Sequence, residues 1–323
     1  MVTTLLIVSR ALHLGSGMIV VAVVAFRWLV LLPAFKRSPE QMWTMFSPLF
    51  DRLKHLLLWS GAILLVSGLM LFWSVSAAMS GNSLQESLTA ETFGTVLFQT
   101  QFGSISLWRV GLALFLAIML WRLISTGWLS QRRRSPLEFL VGCTAAALIV
   151  LFSGTGHAAA SSGSAFLYNL SADAVHILAT SVWPGGLLPF AMFLAYARSI
   201  EIEPCLAPVL AVANRFSSAS LIVVIVLAAS GILNAYFLVG SFSSLFLTPY
   251  GQVLCLKILL FAGIIGLASW NRFSLLPSLL EEKDFTAIPV LLRRLQASVI
   301  GEFALALAIV GVVSILGTLP PSR

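Results

Sequence analysis

The chain has 323 residues, 59% of them hydrophobic and 10% charged, with a net charge of +7 and a mean hydropathy of +0.99. Too few charges exist to clothe a soluble core of that size, so a water-soluble globular fold is excluded. The basic excess needs no nucleic-acid partner, because Lys and Arg are sorted along the chain as they are in membrane proteins.

Eight apolar runs predict membrane-spanning helices over 6–32, 54–78, 105–125, 137–154, 170–196, 216–239, 252–271 and 298–318. The first lacks a basic leader and is too long for a cleaved signal peptide. Arg27, Lys36, Arg37, Arg52 and Lys54 flank the first loop, and Arg122, Arg132, Arg133 and Arg134 the third. Arg198 and Arg215 flank the fifth, and Arg272, Lys283, Arg293 and Arg294 the seventh. The even-numbered loops, 79–104, 155–172 and 240–251, contain no Lys or Arg. The positive-inside rule then puts the odd-numbered loops in the cytoplasm and both termini outside. The Arg132–Arg134 cluster reads as a topology anchor beside anionic membrane lipid. The expected fold is an all-α integral membrane protein.

A repeat refines this. Shifted by 163 residues, Arg10-Ala11-Leu12-His13 falls on Asp173-Ala174-Val175-His176, and Ser67-Gly68-Leu69 falls on Ser230-Gly231-Ile232. Phe102-Gly103 with Arg109 resembles Tyr250-Gly251 with Lys257 at a shift of 148. Two parallel four-helix halves, 1–160 and 161–323, are expected.

Depth along the helices locates the polar residues. Leu12 to Leu32 spans about 30 Å at the α-helical rise. Arg10 and Asp173 therefore stand at the outer interface, with His13 and His176 one turn deeper. His157, in Gly156-His157-Ala158, lies just beyond the outer end of the fourth helix, at the same level. His55 follows Lys54 at the inner end of the second helix and reads as interfacial.

Ionisable residues within a bilayer are costly and mark sites. Imidazole binds Cu, Zn, Fe and Ni, and three at one level could hold Cu(I) or Cu(II); Asp173, three residues before His176, could orient its ring or bind a cation. The alternative is that each histidine only bridges helices by hydrogen bonds. Arg10, Arg109 and Lys257 repel a metal ion but could receive the propionates of a haem held between histidines, so a haem reading stands beside copper. Glu138 and Glu302 are expected to open the fourth and eighth helices, where carboxylates suit the dipole; exit ligand and proton carrier are further roles. Trp183-Pro184-Gly185-Gly186 should loosen the fifth helix, and Asn234 should bridge helices. The three cysteines are scattered and form no CxxC. There is no Walker loop, GxSxG, HExxH or dinucleotide fingerprint, so no enzyme is expected.

The run Asp173-Ala174-Val175-His176-Ile177-Leu178-Ala179, then Trp183-Pro184-Gly185-Gly186-Leu187, resembles the CopD family of bacterial inner-membrane copper-resistance proteins. Gly156-His157-Ala158, Asn214-Arg215-Phe216-Ser217, Ser230-Gly231-Ile232-Leu233-Asn234, Thr248-Pro249-Tyr250-Gly251 with Lys257, Asn271-Arg272, and Glu302 with Gly317-Thr318-Leu319-Pro320 extend it. The second half carries it most specifically. Pro184 departs from the pattern, where a larger apolar residue is expected. The resemblance implies a protein that moves copper between periplasm and cytoplasm or supports copper tolerance, beside a separate CopC-type periplasmic copper carrier. His13, His157 and His176 would inherit the metal role.

Overall fold

The computed structural model describes residues 1–128, 131–154 and 164–322, with side chains described for the same residues except 164–166. Helix is the only regular secondary structure among the described residues, with no strand among them. Eight helical spans are long and apolar enough to cross a membrane, numbered here α1 (Val2–Ala34), α2 (Ser47–Ser80), α3 (Gln101–Ser125), α4 (Pro136–Ser153), α5 (Leu167–Ala197), α6 (Glu203–Val239), α7 (Pro249–Glu281) and α8 (Ile288–Leu316).

The expected spans are all present, and most are longer than their apolar runs. Hydropathy marks where a helix meets lipid, not where its hydrogen bonds stop. α2 starts at Ser47, ahead of Asp51, Arg52 and Lys54, and α8 starts at Ile288 rather than near 298. That corrects the placement of Glu302: it stands in the middle of α8, so the helix dipole gives it no support. Glu138 does open α4, where Ser135 and Glu138 form a capping box.

α1 and α5 form the centre. Their most apolar windows are 61% and 67% buried, against 11% to 44% for the other six spans. α1 packs on α2, α4, α5 and α8, and α5 packs on α1, α4, α6 and α8. Both His-bearing helices thus lie inside the bundle, where side chains are screened from lipid.

Local irregularities follow from sequence. α1 and α7 each contain a π-helical turn, Arg27–Leu31 and Asn271–Leu275, followed by the Leu-Pro steps at 33 and 277. Proline cannot donate to the carbonyl four residues back, and a widened turn accommodates the gap. α5 breaks at Trp183–Gly186, between helices ending at Val182 and starting at Leu187, as the Pro-Gly-Gly step predicts.

Three short helices were not foreseen: Glu40–Met45, Ala90–Gln99 and Phe242–Leu247. The last two lead into α3 and α7 through matching turns. Thr100 Oγ1 accepts from Gly103 N at 2.9 Å, and Thr248 Oγ1 from Gly251 N at 3.1 Å. A Cβ on Gly103 or Gly251 would come within 2.3 Å of a backbone oxygen of the preceding helix. That close approach explains the repeated aromatic–glycine pair.

Candidate functional site

His13 is buried on α1. Its Nδ1 lies 3.1 Å from the carbonyl oxygen of Leu64 and 3.4 Å from Ser67 Oγ on α2. A carbonyl only accepts, so Nδ1 carries the hydrogen and donates it. Nε2 is left with its lone pair, buried and without a hydrogen-bond partner. A Cβ on Gly68 would stand 3.3 Å from His13 Cε1, so the glycine makes room for the ring. The ring stacks on Phe152 with centroids 6.0 Å apart. A cavity of about 110 Å³ adjoins it, walled by Gly68, Phe72, Phe102 and Arg109.

His176 on α5 is held in the same manner. Its Nδ1 lies 3.1 Å from Ser230 Oγ on α6. That hydroxyl gives its hydrogen to a backbone carbonyl, Val226 O at 2.7 Å or Leu227 O at 3.2 Å. It therefore accepts from Nδ1–H, and Nε2 again keeps a lone pair. A Cβ on Gly231 would stand 3.2 Å from His176 Cε1. Histidine and serine are 54 residues apart in both arrangements. The cavity here is larger, about 350 Å³, with Thr180, Pro184, Gly231, Lys257 and Phe261 in its wall.

Asp173 stands elsewhere. A third cavity of about 140 Å³ is lined by Arg10, Asp173, Asn234, Tyr250 and Lys257. Asp173 Oδ1 accepts from Asn234 Nδ2 at 3.3 Å, which joins α5 to α6 and bears out Asn234 as an interhelical bridge. The imidazole partner of His176 is Ser230, not Asp173, because Ser230 projects from the facing helix at the height of the ring. Arg10 donates from Nη1 to Gly317 O at 3.4 Å. The Arg10 and Arg109 guanidiniums lie 4.9 and 5.1 Å from the Phe152 ring centre. Aromatic faces partly offset the burial of two like charges.

His13 and His176 line different cavities. His157 lies outside the described residues. His55 is exposed on α2. Among the described residues, no three His, Cys, Asp or Glu side chains come together as a metal-binding group. The structure thus offers two single-imidazole stations on the central helices.

The family profile described as "Copper resistance protein D-like, N-terminal domain" matches residues 1–167, and "Copper resistance protein D" matches residues 210–316. The chain belongs to the copper resistance protein D family. It is 28% identical over 319 residues to inner membrane protein YebZ of Escherichia coli (strain K12), covering 98% of each chain. It is 31% identical over 168 residues to copper resistance protein D of Pseudomonas syringae pv. tomato, covering 52% of this chain and 54% of that one. Copper transport protein CutJ of Bacillus subtilis (strain 168) is 30% identical over 197 residues, covering 58% of this chain and 33% of that protein. No solved structure matches the chain. Membership makes this a copper-related multi-spanning membrane protein.

One pair escaped the sequence reading. Arg27 Nη1 donates to Glu138 Oε2 at 2.5 Å, with both side chains fully buried. Arg27 Nη2 donates to Trp128 O at 2.9 Å and Gln131 O at 2.5 Å, and the guanidinium lies 4.7 Å from the Trp128 ring centre. Arg27 counts as a loop flank by position. The apolar residues on both sides of it, and an opposite charge at the mouth of α4, were the available signal. Arg132 reaches the carbonyls of Phe35 and Ser38, and the exposed Arg134 lies over the Trp28 ring.

Proposed function

We propose that this protein carries copper across the bacterial inner membrane, from periplasm to cytoplasm, and so contributes to copper homeostasis and resistance. The observation that supports it is the fixed tautomer of His13 and His176. Each ring spends Nδ1–H on α2 or α6 and keeps an Nε2 lone pair on a central helix. A neutral imidazole nitrogen, oriented by a hydrogen bond at its other nitrogen, is a copper ligand of the usual kind. His157 and Asp173 complete the expected periplasmic set, as a third ligand and an acid that draws in the cation. The charge pattern supports periplasmic termini, and the His–Ser–Gly correspondence supports two parallel halves, 1–160 and 161–323. Copper would arrive on a separate CopC-type carrier. The protein acts as a transporter, not an enzyme.

The test is metal analysis with an optical spectrum on one purified sample. Wild type should bind copper, and His176→Ala should lose bound copper and lower copper accumulation in cells. An unchanged His176→Ala variant, in both readouts, defeats the proposal. A second reading is favoured by the apolar cavity at His176 with Lys257 in its wall. There Nε2 could meet a haem iron and Lys257 a propionate. A Soret band lost in His176→Ala would select haem; copper without that band selects transport.

A further inference from the structure

α4 and α8 each bury a glutamate, and the two are treated in opposite ways. Glu138 has an arginine: Arg27 neutralises it at 2.5 Å. Glu302, 2% exposed, has only the side-chain amide of Asn271, whose Nδ2 donates to Glu302 Oε1. Among the described residues, only Arg27–Glu138 and Lys54–Asp51 form ion pairs within 4.0 Å.

Glu302 and Asn271 share a cavity of about 170 Å³ with residues from α5, α6, α7 and α8. Its walls are mostly apolar, including Trp183, Phe190, Phe216 and Val299. Arg272 is the one other ionisable residue in the wall. It donates from Nη1 to Ser217 O and Ser217 Oγ, at 3.1 and 3.0 Å. No cation among the described residues therefore forms an ion pair with Glu302, and a bare buried carboxylate is costly. A proton removes that cost.

The amide agrees. Asn271 Oδ1 is buried with no donor, and Ser298 Oγ, one turn before Glu302 on the same face of α8, is buried without a partner. A carboxylate can only accept. A carboxylic acid can also donate, and its O–H is the donor Asn271 Oδ1 lacks. Asn271 opens the π-helical turn of α7, a feature frequent at functional sites.

We propose that Glu302 and Asn271 form a proton-binding site on this cavity, where the carboxyl carries a proton and yields it to water entering the cavity. The site stands independently of which cargo the histidines receive. Dicyclohexylcarbodiimide, which adds to protonated carboxyls in apolar surroundings, tests it on the full-length protein in native membranes. Peptide mass spectrometry should find the adduct on Glu302 at least tenfold above Glu138, with yield falling as pH rises. Glu302→Asp should keep the adduct at that position and Glu302→Gln should abolish it. The wild-type measurement needs no variant to fold. An infrared carbonyl band of a protonated carboxyl, present in wild type and absent in Glu302→Gln, is the second readout. Glu302 labelled no more than Glu138, or labelled equally at all pH values, would overturn the proposal.

Discussion

In the first half, His13 sits beside a cavity of about 110 Å³, under a Phe152 ring that two arginines approach. The equivalent histidine of the second half borders about 350 Å³, and its neighbours are a lysine and, across the adjoining cavity, an aspartate. The buried glutamates follow suit, Glu138 tied to Arg27 and Glu302 tied to a neutral amide. One half pairs its buried glutamate with an arginine and leaves its histidine the smaller cavity. The other keeps room and an uncompensated acid. Two histidines held alike thus stand in unlike surroundings.

The strongest way to break that comparison is at the ion pair. Arg27→Ala leaves a buried Glu138 without its cation and should cost about 3–5 kcal/mol. Asn271→Ala should cost far less, because Glu302 stays neutral once protonated. Unfolding midpoints in detergent compare the two directly, and equal losses would erase the contrast between the halves. A smaller effect separates the histidine pockets. Gly68→Ala presses a Cβ against His13 in a confined space and should cost about 1–3 kcal/mol. Gly231→Ala should cost less, since His176 has a larger cavity into which to shift; the same melts decide it. The mildest contrast is between the serines. Ser230→Ala removes the partner of His176 and should weaken copper binding roughly 10–100-fold in titrations. Ser67→Ala leaves His13 its bond to Leu64 O and should fall below that range.

The spans, the break in α5 and the Asn234 bridge could be read from the chain, because each rests on a local rule: apolar length, proline and glycine chemistry, or the cost of polar groups in lipid; the histidines were expected at one shared level, and the structure sets His13 and His176 on different cavities. Glu302 was misplaced because amphipathic sequence extends α8 by ten residues beyond the lipid. The Arg27–Glu138 pair joins residues 111 apart in sequence, and no local pattern encodes such a meeting. Helical periodicity allowed Asp173 either to orient the His176 ring or to bind a cation; Ser230 on α6 takes the first role, since three residues along one helix share a face without sharing a partner.

The turn in α5 places Pro184 in the wall of the His176 cavity and Trp183, its neighbour, in the wall of the Glu302 cavity. Two consecutive residues of α5 thus face two different chambers. Gly185 and Gly186 beside them press so near the backbone that a Cβ would stand 2.5 and 2.4 Å from the carbonyls of Ser181 and Val182. The segment cannot be thickened without being rebuilt. Were a ligand in one chamber to shift this segment and so change binding in the other, thermodynamic reciprocity would require the same influence in reverse.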